Sequence, residues 1–200
     1  MKKTCKTAEK TKHQLRELTI MKGLSGKHPH IMSLIGWRET AFNFQLFMPL
    51  YARNLRQYIN NSRVPHKTGK VIISQLCSAA AYLHGCSILH RDIKPQNVMT
   101  KVQPLAVVLT DFGCSRDVLP TDLKKTQDEP MTPDMVTLWY RAPEILMGHR
   151  TYALPSDIWS LGVTLVEIEN GRPPFHANSN IPLLQEIFRT VGGHGPWARI

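Results

Sequence analysis

Nothing in this 200-residue sequence is apolar for long enough to span a bilayer, and no apolar signal core follows Met1. Cysteine is scarce. Cys5, Cys77, Cys86 and Cys114 form no C-x-x-C pair, which argues against a zinc site or a disulfide scaffold and fits a reducing compartment. There is no internal repeat, no low-complexity tract and no G-x-G-x-x-G. These absences exclude a membrane protein, a secreted mini-protein and a disordered tail. They leave one domain or two small lobes sharing a core, with 42% hydrophobic and 20% charged residues.

Acidic residues are also few, 15 against 25 Lys and Arg, for a formal charge of +10. Such a balance raises a nucleic-acid reading. Its distribution argues against one. Residues 1–30 hold eight basic and two acidic side chains, +6 by difference, with no aromatic residue interleaved to stack a base. A solvated helix face explains this run better than a nucleic-acid partner.

Leu15, Leu18, Met21 or Lys22, and Leu24 recur at helical spacing, which predicts a helix over about 10–24, stopped by Gly26 and Pro29. Ile31–Trp37 and Gln45–Leu50 read as strands around a turn at Arg38–Asn43, with Pro49 opening a linker near Leu50–Arg53. Ile72, Leu76, Ala79 or Ala80, and Leu83 predict an amphipathic helix ending at Gly85. Short β pieces follow at Ile88–Leu89, Val98–Met99 and Val107–Thr110. Ser115–Pro133 is a polar loop of a length that inside a compact domain is usually functional or disordered. Asp157–Ile168 reads as a buried helix with Ile158, Leu161, Leu165 and Ile168 along one side, and a last helix lies near Pro182–Thr190. A strand-rich start and helix-rich remainder predict an α+β fold.

The sharpest segment is His90-Arg91-Asp92-Ile93-Lys94-Pro95-Gln96-Asn97. Nineteen residues after Asp92 comes Asp111-Phe112-Gly113, and later Thr137-Leu138-Trp139-Tyr140-Arg141-Ala142-Pro143-Glu144. Singly, Asp92 and Asp111 would read as turn or capping residues and Lys94 as a surface lysine. As an ordered set they resemble the catalytic loop, the DFG motif and the APE motif of the eukaryotic protein kinases.

That resemblance implies a two-lobed fold, with residues 1–51 as small lobe and hinge and 52–200 as large lobe. It implies ATP and Mg²⁺ as cofactors. Asp92 would be the base, Lys94 would steady the γ-phosphate, and Asn97 and Asp111 would ligate metal. Lys94-Pro95 and Thr137 fit the serine/threonine type. Glu17 resembles the helix glutamate that pairs with an ATP-orienting lysine; Lys2, fifteen residues upstream, matches that lysine, with Lys3 the alternative. Met48 matches the back of the adenine pocket, and Tyr51 the hinge donor, since Pro49 has no N–H. Asp157 matches the aspartate that braces the catalytic loop.

Val136–Glu144 and Ile187–Gly192 resemble the cyclin-dependent and mitogen-activated kinase group. This implies a substrate pocket shaped by Arg141 and favouring proline after the acceptor. It also implies an activating phosphothreonine at Thr132 answered by Arg91, and a cyclin-like subunit as a partner class. The residues ahead of Arg16-Glu17 depart from the usual cyclin-contacting sequence. Because glycine-rich loop and last helices find no match, the chain resembles the middle of such a domain. Weak turnover, poor solubility and a Glu144 without its arginine partner are then expected of the chain alone. The readings to separate are a Ser/Thr kinase in the cytoplasm or nucleus, with protein substrates, no nucleic acid and no membrane, and an inactive kinase-like interaction module.

Overall fold

The computed structural model describes residues 2–5, 8–40, 43–117, 138–149 and 152–192, with side chains from Gln14 onward except Asn43. The first sheet consists of β1 (Lys2–Cys5), β2 (Gly36–Glu39) and β3 (Asn43–Phe47), antiparallel in the order β1-β3-β2. The helix α1 (Ala8–Leu24) packs beside it, and Gln14, Glu17, Leu18, Ile20, Met21 and Leu24 are buried. Leu15, expected on the apolar stripe, is instead 46% exposed. The buried stripe is set one residue round because α1 also covers the segment Phe112–Cys114.

The expected strand from Ile31 to Trp37 begins only at Gly36. Ile31 makes an isolated parallel bridge to Leu109, and Met32 N–H donates to Leu109 O at 2.9 Å. This stretch therefore serves the edge of a second sheet. The second expected strand runs over Asn43–Phe47 rather than Gln45–Leu50, since Pro49 offers no ladder donor.

The second sheet is β4 (Arg53–Asn54), β6 (Val98–Val102) and β7 (Leu105–Leu109), in the order β4-β6-β7. Between β4 and β6 lie α2 (Leu55–Ile59), α3 (His66–Gly85) and β5 (Ile88–Leu89), the last paired with β8 (Arg116–Asp117). Neither β4 nor α2 was legible by periodicity, because each is too short to show a period. α2 is set by a capping box: Asn54 Oδ1 accepts from Gln57 N–H, and Gln57 Oε1 accepts from Asn54 N–H. The edge of β7 is tied to α3 through Gln75, whose Oε1 accepts from Val107 N–H at 2.8 Å. One apolar cluster runs from Leu18, Met21 and Leu46 through Leu76 and Leu83 to Val107, Phe112 and Ile168, joining sheets and helices.

The chain closes with α4 (Pro143–Leu146), α5 (Leu154–Asn170) and α6 (Asn180–Val191), around a second cluster containing Tyr140, Phe175, Leu183 and Ile187. α5 corrects the sequence reading. Ile158 and Val166 are 53% and 40% exposed, whereas Ser156, Asp157, Ser160, Thr164 and Glu167 are buried. Leu161 and Ile168 are buried as read and Leu165 packs against the same cluster, but beside them the helix turns inward a row of polar side chains that supplies hydrogen-bond partners to the loops packed on it. Glu144 is likewise not left alone: it is half-buried, and Ser156 Oγ donates to its Oε1 at 2.8 Å.

Gly171 ends α5 in the left-handed region at φ 80°, and a Cβ there would lie 2.7 Å from the Ser62 carbonyl carbon. Gly171→Ala combines a strained φ with a backbone clash and should cost about 2–4 kcal/mol. Denaturant unfolding that shows no change in stability would contradict this packing.

Candidate active site

The loop between β5 and β6 carries His90 through Asn97. Its backbone is held from below by α5. The Asp157 carboxylate, 1% exposed, accepts from His90 N–H at 2.8 Å through Oδ2 and from Arg91 N–H at 2.7 Å through Oδ1. His84 Nε2 lies 3.1 Å from the same Oδ2. Arg91 adopts φ 68°, a conformation that a non-glycine residue keeps only where its surroundings enforce it. The two amide bonds to Asp157 provide that enforcement. His90 is fully buried: its Nε2 contacts Thr110 O at 3.0 Å, and its ring meets the edge of Phe112 at 5.3 Å.

The β6–β7 hairpin brings the two remaining site residues together. Val98 pairs with Leu109, so Asn97 and Thr110 follow across the ladder, and Thr110 N–H donates to Asn97 O at 2.9 Å. Asp111 comes next, at φ 68° and ψ 69°, turned out of the strand at the mouth of the hairpin. Residues nineteen apart in Asp92 and Asp111 thereby flank Asn97. Asn97 Nδ2 donates to Asp92 O at 2.9 Å and to Asp92 Oδ2 at 2.7 Å. Lys94 Nζ forms an ion pair with the same Oδ2 at 2.7 Å.

Asp92 is 6% exposed, and burial pushes its carboxyl above the ordinary value; Lys94, Asn97 and His90 oppose the shift without cancelling it. Its second oxygen, Oδ1, is buried and accepts no hydrogen bond among the described residues. A buried acceptor of this kind suits a hydroxyl donor. Among the described residues no three His, Cys, Asp or Glu side chains cluster to cage a metal. The oxygen donors of Asn97 and Asp111 at the hairpin mouth fit Mg²⁺, a hard cation that takes one or two protein oxygens and completes its shell with water and phosphate.

The other expected residues divide. Glu17 is buried on α1. The register sets Lys2, rather than Lys3, opposite the buried Leu46, but the Lys2 side chain lies outside the described residues. Met48 and Tyr51 are partly buried against the main cluster, and burial raises the Tyr51 hydroxyl. Arg141 is buried, following Tyr140. Arg91 stacks on Tyr152 at 5.0 Å, with its Nε buried and without a hydrogen-bond partner among the described residues; the positive charge of Arg16 faces it. Thr132 and Thr137 lie outside the described residues.

Sequence reading missed a set of polar side chains beneath this site. Arg56 Nη1 lies 2.7 Å from Glu167 Oε1, and Tyr140 donates to Glu167 Oε2 at 2.5 Å. The available signal was Glu167 itself, a carboxylate within the apolar run of α5, which requires a partner once buried. Tyr140 reads by sequence as ordinary core packing; its ring does pack so, but its hydroxyl is engaged.

A family model for the protein kinase domain matches residues 1–193. Among curated proteins the chain is similar to cyclin-dependent kinase B2-1 of Oryza sativa subsp. japonica, 33% identical over 188 residues. The alignment covers 89% of this chain and 56% of that relative. The chain thus spans about half the length of the curated relative it matches.

The raised Asp92 carboxyl has a consequence for stability. A folded-state value above the unfolded one means that the native state binds this proton more tightly. The contribution is favourable below the ordinary carboxylate value near 3.9 and is lost as pH rises through the folded one. At neutral pH the ionised Asp92 therefore costs stability. Asp92→Asn should raise the thermal midpoint at pH 7 and show little difference at about pH 3, below the ordinary carboxylate value. A lower midpoint at pH 7 would contradict this account.

Proposed function

Because the chain belongs to the protein kinase family, we propose that it transfers the γ-phosphate of ATP to a serine or threonine hydroxyl of a protein substrate. The observation that carries this reading is the convergence of Asp92, Lys94 and Asn97 within hydrogen-bond distance, beside Asp111 at the hairpin mouth. Asp92 Oδ1 accepts the hydrogen bond of the substrate hydroxyl, orienting the oxygen, and takes its proton as the new P–O bond forms and ADP leaves. Lys94 balances the charge of Asp92 in the resting site and would steady the γ-phosphate. Asn97 and Asp111 would hold Mg²⁺, which neutralises the phosphate charge when bound. Lys2 with Glu17 orients the nucleotide, and Met48 and Tyr51 line its base.

The finer assignments rest on the similarity to the cyclin-dependent kinase. Arg141 shapes the pocket for the residue after the acceptor, a proline, and Thr137 joins Asp92 at the hydroxyl. Thr132 accepts an activating phosphate. Arg91, whose guanidinium is desolvated and whose Nε is buried without a hydrogen-bond partner among the described residues, is the group that would answer that phosphate. A cyclin-like protein is the proposed regulatory partner.

Transfer of labelled phosphate from Mg·ATP to serine peptides, with and without proline after the acceptor, tests the reading. Slow but measurable turnover is expected, faster on the proline peptide. Asp92→Asn should lower it by about 10³-fold or more while leaving nucleotide affinity unchanged. The acid limb of the rate profile should lie above the ordinary carboxylate value of about 3.9. Binding of Mg·ATP without any transfer would replace the kinase reading with that of an inactive interaction module. Equal rates on the two peptides would remove the proline preference alone.

A further inference from the structure

Lys27-His28-Pro29-His30 follows α1 after the turn at Gly26. The two histidines of this loop face different elements. The His28 ring stacks on Tyr82 of α3, with centroids 4.9 Å apart and planes 18° from parallel, and its Nε2 lies 3.1 Å from Ser78 Oγ, one turn earlier on the same helix. His30 Nδ1 lies 2.9 Å from Val107 O, and the His30 carbonyl accepts from Leu109 N–H at 2.9 Å. Met32 N–H donates back to Leu109 O at 2.9 Å. The loop thereby clasps α3 on one side and the outer edge of β7 on the other, just ahead of Asp111.

These contacts fix where the ring protons sit. His30 N–H donates to His28 Nδ1 at 3.2 Å. An amide N–H can only donate, so His28 Nδ1 carries a lone pair and the ring proton is on Nε2, directed at Ser78. Val107 O can only accept, so His30 carries its proton on Nδ1. The two rings therefore answer acid differently. A second proton on His30 enters at Nε2 and leaves the bond to Val107 intact. A second proton on His28 enters at Nδ1, sets two donors against each other and removes the side-chain acceptor of the His30 amide. The surroundings do not offset this. His30 meets the His28 ring at 5.7 Å, and Lys27 precedes it in the same loop. α3 presents Tyr82, with Cys86 beside it; β7 has no titratable side chain; and Lys22, in the last turn of α1, is turned onto Trp37. Among the described residues His28 has no ion-pair partner. Burial, and the positive charge that His30 can take, hold the His28 imidazole below its ordinary value.

We propose that His28 is a proton-released clasp: neutral, it joins the loop after α1 to α3 and to the edge of β7, and protonated, it lets go of the His30 amide and loosens the strand that leads to Asp111. The device stands on these contacts and does not depend on the transfer reading. Its direction follows from linkage. A folded value below the unfolded one means that the clasp contributes fully above the ordinary histidine value of about 6.5 and is lost as pH falls through the folded one. The effect of acid is also bounded. At about pH 5.5, one unit below the ordinary value, opening of the clasp can rise by at most about tenfold.

Three variants of the full chain test this: His28→Asn, His28→Phe and His30→Asn. Amide hydrogen exchange at His30, Met32 and Leu109, corrected for its intrinsic pH dependence, is compared with that of the α5 amides at about pH 7.5 and about pH 5.5, and both histidines are titrated by NMR. Relative to α5, the wild-type chain should lose protection at these amides on acidification, several-fold and up to about tenfold, with His28 titrating below about 6.5. His28→Asn, whose Oδ1 accepts from the His30 amide at either pH, should stay protected at both. His28→Phe, which keeps the stack on Tyr82 without the acceptor, should be poorly protected at both. His30→Asn should remain sensitive to acid, because the amide at position 30 still donates to His28. A wild-type chain with no acid response overturns the proposal, as does His28→Asn responding like wild type or His30→Asn not responding at all. A His28 value at or above about 6.5 overturns it too, by showing that the attraction of an imidazolium for the Tyr82 face outweighs the lost acceptor. If His28→Phe fails to fold, the two asparagine variants and the titration decide by the same criteria.

Discussion

The Asp157 carboxylate, buried and bonded to two consecutive backbone amides, is the constraint on which the site depends. Charge-assisted hydrogen bonds of this kind contribute about 1.5–3 kcal/mol each. That suffices to hold Arg91 at its positive φ, which otherwise costs about 1–3 kcal/mol. With His90 and Arg91 fixed, the chain direction at Asp92 is fixed, and Asn97 is carried to the start of β6 where it meets Thr110. Asp157 itself sits in the first turn of α5, where the helix dipole favours a negative charge.

α5 does more than brace one loop. Ser156 reaches Glu144, Asp157 reaches the catalytic loop, Ser160 reaches Tyr140 O, and Glu167 reaches Tyr140 and Arg56. These residues line the inner side of one helix, so the loop between β5 and β6, the segment at Tyr140 and Glu144 are all tied to a single rigid element. The outer side, with Leu154, Ile158 and Val166, is apolar and exposed. Leu161 and Ile168 reach the core as the hydropathy pattern predicts, whereas the row of polar side chains beside them carries no hydropathy signal. A satisfied polar network specifies loop positions in a way that apolar packing does not.

Much of the fold was legible because its long elements carry clear periods. Of the expected helices, the one ending at Gly85 and the one near Pro182–Thr190 lie within α3 and α6, and Ile88–Leu89 is a strand as read. The arrangement of the candidate site was legible through motif order: Asp92 contacts both Lys94 and Asn97, and Asp111 lies beside them at the mouth of the hairpin. What escaped was set by partners far away in sequence. Ile31 and Met32 are strand-like residues yet pair with Leu109 at the edge of β7, while Leu34 bonds to Ser25 and Ile35 to Phe47 of β3, and α2 exists through a two-residue capping exchange. The Arg56–Glu167 pair spans more than half the chain, a separation no local window samples. Glu144, expected to be left without a partner, accepts from Ser156 Oγ.

Burial at Asp92 disfavours the ionised form that the base of the proposed transfer requires. The loop must therefore be held by groups other than Asp92, and Asp157 is the one placed to do so. Amide hydrogen exchange of His90 and Arg91 in Asp157→Ala, with and without Mg·ATP, tests this directly. The account predicts a chain that keeps its helical circular dichroism but loses protection at both amides, and whose protection Mg·ATP no longer restores. Wild-type protection of His90 and Arg91 in Asp157→Ala would contradict it.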